Sequence, residues 1–343
     1  MLQISNNTIR VKQINTQLVK NALKASSYGT KTTIAKATGL SIATCGNILN
    51  ELLEKGEVLE IDLEESNGGR PARRFIYNAD YAYIACMYLR TEGKENSINY
   101  VITNLLGENI QEEKIIVKSI NFELIDTTIE ELIMRYENIM ALGIGVPGVV
   151  HDGHIGVCDI SDLVNFPLGE KLKEKYQVEV IIENDMNFTA FGFYEKQEND
   201  EDKTLVYALF PKDNLPGAGI IIDGHMFKGN TKFAGELSFL PFDMKREEQL
   251  IKLNNNRDFL KIVVKSITSI IAIINPETIV LSGDLFKGNE LDDIYKECTK
   301  IIPKEHMANI FIKEDIHEDY MNGIVSITLE SLNYNIKLIE RKL

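Results

Sequence analysis

Apolar positions along this chain change period near residue 57. Before it they recur at helical spacing. "INTQLVKNALKAS" sets Ile14, Leu18, Val19 and Leu23 near one face, which predicts a helix. "TKTTIAKATG" predicts a second, from a cap at Thr30 to a stop at Gly39. "SIATCGNILNELLEKG" predicts a third, capped by Ser41 and ended by Gly56, with Cys45, Ile48, Leu49, Leu52 and Leu53 at helical spacing. Only "GLS" joins the second and third helices, and Gly39 can supply the left-handed backbone of so sharp a turn. After Gly56 the alternating strands "VLEID" and "RRFIY" flank a Gly-rich tip, the pattern of a β-hairpin. A helix-turn-helix followed by a wing is expected over residues 1–78.

From Tyr81 onward strands dominate. "YAYIACMYL", "SINYVITNLLG" and "IQEEKIIVK" read as successive strands, followed by a helix in "LIDTTIEELIMRYE". The buried strands "IMALGIGVPGVV" and "VEVIIEND" come next, with a helix from about Asn187. "TLVYALF" and "GAGIIIDGHMFKG" open a second series. It continues through the helix "DFLKIVVKSITSIIAIIN" to the strand "TIVLSG". This order predicts an α/β body of two related lobes with a cleft between them. The expected bounds are 79–190 for the first lobe and 191–319 for the second. The terminal "MNGIVSITLESLNYNIKLIERKL" is expected to return as a helix, about 320–343, onto the first lobe.

Charge sharpens the contrast between head and body. Residues 1–50 hold six cations (Arg10, Lys12, Lys20, Lys24, Lys31, Lys36) and no acid, so the whole-chain charge of −14 leaves −20 on the remainder. A basic head on an acidic body points to a polyanion partner for the head alone, and with this fold to double-stranded DNA. The third helix then offers Ile42, Ala43, Thr44, Gly46, Asn47 and Asn50 to the major groove. Thr44 and Asn47 can hydrogen-bond base edges, and Ile42 can cover a thymine methyl. Thr32 and Lys36 can hold phosphates, while Arg70, Arg73 and Arg74 at the wing suit a narrow minor groove. Four scattered cysteines without a Cys-x-x-Cys pair argue against a disulfide framework or a cysteine zinc site. With no signal-peptide pattern and no membrane-length apolar run, a cytoplasmic protein is expected. "HDGH" at 151–154 reads as a polar turn and "EKQENDEDK" at 195–203 as a solvated segment.

The segment "IIENDMNFTAFG" (181–192) places Asn184 and Asp185 where a buried strand meets a helix. Together with "GIGVPGVV", "GAGIIIDGHMFKGNTKFAGELSF" and "INPETIVLSGDLF", it resembles the ROK family of repressors and sugar kinases over nearly the whole chain. The resemblance implies a two-lobed actin-like (ribonuclease H-like) sugar-kinase fold behind the winged helix-turn-helix. Members with such a head are operator-binding repressors that release DNA when a sugar fills the cleft. Asn184, Asp185 and Glu236 match the family's sugar-binding groups, and Gly148 matches a loop that closes over the sugar. In kinase members the acid matching Asp185 is the base that activates the sugar hydroxyl.

This chain departs from the kinase pattern. "ACMYLRTEGKENS" lacks the acid and the Gly-Gly-Thr turn of the first phosphate loop. "LFPKDNLPGAGI" replaces the second, with amide-free Pro211 and Pro216 and an added acid, Asp213. Phe239 stands where the family's zinc- and sugar-binding histidine would be, and "LPFDMKREEQLIKLNNNRDF" has no Cys or His. The expectation is a homodimeric regulator of carbohydrate use, with no enzyme activity, no metal, no cofactor and no membrane partner. Two other readings stand beside it: an active sugar kinase using Asp185, and a DNA-binding dimer whose body is only a scaffold. For Asn184 and Asp185 the choice lies between holding a ligand and merely capping a helix.

Overall fold

A computed structural model describes residues 3–61, 72–92, 95–197, 203–287 and 290–333. Helix α1 runs Gln3–Lys24, beginning well before the apolar pattern at Ile14; residues 9–12 are exposed and need no buried stripe. Helix α2 (Lys31–Thr38) opens on a capping box: Thr33 N donates to Thr30 Oγ1 at 3.2 Å and Thr30 N to Thr33 Oγ1 at 2.8 Å. Gly39 closes it at φ 70°, the left-handed turn that aims α3 (Ile42–Lys55) across α2. Ser41 caps α3, accepting from Thr44 N at 3.0 Å. Strands β1 (Val58–Ile61) and β2 (Arg74–Tyr77) pair antiparallel as the wing. Gly29 adds a third, short strand, exchanging two 2.8 Å backbone bonds with Phe75. Val19, Leu23, Ile34, Leu49, Leu52 and Phe75 form the core of this head. The wing tip, with Arg70, lies outside the described residues.

Two five-stranded sheets build the body. The first comprises β3 (Tyr83–Glu92), β4 (Glu95–Asn104), β5 (Asn109–Val117), then, after α4 (Phe122–Arg135), β6 (Ile139–Val146). A hairpin, β7 (Gly148–His151) and β8 (His154–Cys158), and α5 (Leu168–Tyr176) lead to its last strand, β9 (Glu179–Asn184). "HDGH" is the tight turn of that hairpin, with Asp152 and Gly153 at positive φ. Helix α6 (Asp185–Glu195) crosses to β10 (Leu205–Leu209), β11 (Gly217–Ile222) and β12 (His225–Met226). Then come α7 (Arg246–Leu253), α8 (Asn256–Ile274), β13 (Thr278–Ser282), α9 (Leu291–Cys298), β14 (Asn309–Lys313) and α10 (His317–Leu332). The orders β5-β4-β3-β6-β9 and β12-β11-β10-β13-β14 are the same topology twice. In each, the first strand is central, with antiparallel neighbours on one side and parallel ones on the other.

Helices α6 and α10 fill the space between the sheets and share one apolar core with Cys86 and Ala141 of the first and Tyr207 and Val280 of the second. Glycine lets them touch. A Cβ on Gly192 would overlap the Asp319 carbonyl oxygen, and one on Gly323 the Phe188 carbonyl oxygen. The fully buried Asp319 carboxylate accepts from Lys313 Nζ at 2.6 Å, Lys196 Nζ at 3.3 Å and Tyr207 OH at 3.3 Å. It thereby ties α10 to α6 and to two strands of the second sheet. Its desolvation is offset because all three partners are in place.

Gly192→Ala should therefore lower stability by about 2–4 kcal/mol or abolish soluble expression, since backbone must move. Gly156→Ala, whose Cβ would meet only Val149 O at 3.5 Å, is expected to stay within about 0.5 kcal/mol of the parent. Thermal melts of the two variants check the contrast.

Candidate functional site

Strand β9 delivers Asn184 to the first turn of α6, which begins at Asp185 rather than near Asn187. Asn184 is the N-cap: its Oδ1 accepts from Met186 N at 2.9 Å and Asn187 N at 3.2 Å. Its Nδ2 also donates to Gly148 O at 3.0 Å, pinning the β7 loop. Capping and lining the cleft are thus one geometry for this residue. Glu183, which sequence reasoning passed over, supports it from behind. Its Oε1 accepts from Asn184 N at 2.9 Å and Asn187 Nδ2 at 3.0 Å, and its other oxygen pairs with Lys228 beyond β12. Periodicity could not reveal that pairing, because Glu183 sits in an apolar strand and its partner is in the other lobe.

A cavity of about 250 Å³ opens between the lobes and brings together Gly148, Asn184, Asp185 and Glu236. Gly148 is needed there because a side chain would strike the backbone of Val157 and Cys158. Asp185 Oδ1 accepts from Met186 N at 2.8 Å. Burial pushes its carboxyl up to about 7; the Met186 amide opposes this, the Asp159 and Glu236 carboxylates add to it, and Arg90 relieves it. Glu236 is raised as well, by burial first, with Arg246 opposing and Asp159 adding.

Pro211, Asn214, Pro216 and Gly217 border the same cavity, so the segment expected to replace a phosphate loop does face it. Asp213 does not. It sits exposed at φ 60°, and Asn214 turns inward instead, donating to Asp159 Oδ2 at 2.6 Å. Phe239 lies at the rim, half exposed, with Arg246 4.4 Å over its ring and Phe233 edge-on at 4.9 Å. These residues do not fit a zinc ion: none of the three offers it an anionic or imidazole donor. Among the described residues no group of three or more His, Cys, Asp or Glu is disposed to hold a metal.

In the head, Ile42, Ala43, Asn47 and Asn50 are exposed along one side of α3, and Thr32 and Lys36 are exposed on α2. Thr44 is partly covered, its hydroxyl 2.8 Å from that of Ser41. Gly46 is not on the free face. It is buried against the Lys31 side chain where α2 crosses α3. Arg73 pairs with Glu60 at 3.2 Å, and Arg74 lies 4.5 Å over the Tyr28 ring. Several head cations are also engaged internally: Lys12 with Glu51 at 2.8 Å, Lys20 with Glu57, and Lys24 over Tyr77.

The Asp185 environment has a measurable signature. A folded-state carboxyl at about 7, against an ordinary 3.8, means the folded chain holds a proton that the unfolded chain has released. Its contribution to stability then falls as pH rises from about 4 through about 7. Asp185→Asn, which keeps an acceptor for Met186 N, should stabilise the protein by on the order of 2–4 kcal/mol above pH 7. The gain should shrink toward pH 4. Chemical denaturation across that range gives the profile, and a gain independent of pH would contradict this assignment.

The ROK family model matches residues 93–250. A xylose repressor of Caldicellulosiruptor bescii is 31% identical over 245 residues, covering 68% of this chain and 60% of that repressor. A Bacillus subtilis xylose repressor is 25% identical over 242 residues, 68% of this chain and 62% of its own length. The chain thus spans about three fifths of the curated relatives it matches. Among solved structures, a ROK family transcriptional regulator, a homologue of the Escherichia coli MLC protein, superposes with a TM-score of 0.66 at 17% identity, over 94% of this chain and 99% of that one. The duplicated sheet order, the matched segment and these relatives together establish that the chain carries the ROK family domain.

Proposed function

We propose that this protein is a sequence-specific DNA-binding transcriptional regulator, a repressor of a carbohydrate-use operon, whose body senses a sugar and does not phosphorylate it. The observation that carries the reading is the exposed row Ile42, Ala43, Asn47 and Asn50 on α3 of a folded winged helix-turn-helix. The xylose repressor relatives support it. A cytoplasmic homodimer that presents two heads to a palindromic operator follows from the same reading. No helix among the described residues is long and apolar enough to cross a membrane.

Two connections offer a route from cavity to head. Helix α10 begins beside the cavity with Tyr320, and just past its other end Asn333 Oδ1 accepts from Gln17 Nε2 of α1 at 2.6 Å. Asn78, where the wing meets the body, donates from Nδ2 to Gly56 O at the end of α3 at 2.8 Å. A sugar that favours one lobe closure over another would bias the head through these contacts.

One observation favours the kinase reading: a carboxyl near 7 is suited to general-base work. Against it, Pro211 and Pro216 cannot donate amides to a phosphate where they border the cavity. Incubation with magnesium-ATP and a sugar panel is expected to show no turnover, and sugar-dependent ADP release would replace the sensor reading with the kinase.

Binding to duplexes selected from a random pool, followed by fluorescence anisotropy, tests the regulator. Asn47→Ala should weaken the selected duplex by about 1–3 kcal/mol and relax preference at one position. Lys36→Ala should weaken all duplexes alike and reduce the salt slope by about 1 per head. Equal affinity for selected and random duplexes would defeat the proposal.

A further inference from the structure

The geometry points to a sugar bearing an ammonium group as the occupant of the interlobe cavity, with sugar phosphates excluded. This rests on the reading that the body binds a sugar, and it specifies that ligand's charge.

Three carboxylates, Asp159, Asp185 and Glu236, face the cavity from three separate segments of the chain. Each lies within electrostatic reach of the other two, and Asp159 raises both of its neighbours. Arg246 and Arg90 offset them only in part. Arg246 stacks on Phe239, and Arg90 also serves the Tyr88 hydroxyl. Lys228 is held on Glu183. On the far wall Asp284, Glu314 and Asp315 add charge of the same sign, against Lys232 alone among the remaining lining cations. An ammonium offers three donors and a full positive charge to such a surface, which a neutral hydroxyl cannot match.

A second observation marks the cavity as built for a hydroxylated molecule. Tyr320 and Ser238, only 3% and 2% exposed, border it, and their buried hydroxyls have no hydrogen-bond partner. Leaving a buried hydroxyl unpaired costs about 1–3 kcal/mol, so a ligand that pairs them gains affinity. The amino terminus of α6, where helix amides could otherwise hold an anion, is already occupied by the chain's own side chains. Asn184 and Asp185 oxygens take the Met186 and Asn187 amides. A phosphate dianion would meet carboxylates there and find the Met186 and Asn187 amides taken.

Thermal denaturation of the full chain, near neutral pH and at low salt, tests this with matched probes. Glucosamine, galactosamine and mannosamine are compared with their neutral parents, with their N-acetyl forms and with glucose 6-phosphate. At least one free amine is expected to raise the melting temperature and to bind about tenfold or more tightly than its neutral parent and its N-acetyl form, a difference of about 1.4 kcal/mol. Glucose 6-phosphate is expected to give no shift. Glu236→Gln should bring the amine-to-parent ratio toward one. A parent or N-acetyl sugar that binds as well as every amine overturns the charge assignment and leaves the sugar reading intact, as does stabilisation by the phosphate. No shift with any probe overturns both.

Discussion

The close crossing of α6 and α10 is the constraint from which the rest of the body follows. Backbone lies on backbone at Gly192 and Gly323, leaving no room for a methyl group. Contact this tight fixes where α6 begins, and hence where Asn184 and Asp185 stand at the edge of the first sheet. It also fixes where α10 starts, and hence the place of Tyr320. Because both helices pack on both sheets, the two lobes share a core that neither could complete alone. The buried Asp319 carboxylate reinforces the crossing with direction that apolar packing lacks, since it must face Lys196, Lys313 and Tyr207 at once.

Around that crossing the cavity is built by reuse of ordinary structural devices. Asn184 satisfies the open amides of a helix, as any good cap does, and its remaining donor reaches the loop at Gly148. Asp185 stays near the first turn for the same electrostatic reason that acids favour helix starts. What distinguishes the site is an accumulation of negative groups with few positive ones free to answer them. At the rim the Phe239 ring carries the Arg246 guanidinium on its face, a contact that needs no ion.

Local signals were legible in the sequence, and long-range ones were not. The helices of the head could be bounded because Thr30, Gly39, Ser41 and Gly56 act within a turn of themselves. Two related lobes were expected from the succession of strands and helices, but the repeated strand order within the sheets was not. Gly29, by contrast, pairs with Phe75 across forty-odd residues, and nothing in its neighbourhood announces a strand. Gly46 looked free because it is small, yet its smallness is what admits Lys31. Asp319 fell outside the helix expected from about 320, and its role shows only when Lys196 and Tyr207, both more than a hundred residues away, close around it with Lys313. Asp213, expected to add charge beside the cavity, stays exposed at positive φ, while its neighbour Asn214 faces Asp159. The resemblance to known sugar-binding groups located Asn184, Asp185 and Glu236, but only coordinates could bring the Asp159 carboxylate beside them.

The internal pairing of the head's lysines has a further consequence. Glu51 and Glu57 partly cancel the charge that the first fifty residues carry, so the head's pull on a distant polyanion is weaker than its count of lysines suggests. Over the whole head, residues 1–78, the net charge is +3, and the body, at −17 beyond residue 78, repels the same polyanion. The molecule is therefore a strong electric dipole with a modest positive pole. Near a duplex such an object is rotated before it is captured, head first and body outward, so most collisions in the wrong attitude are turned away and not held.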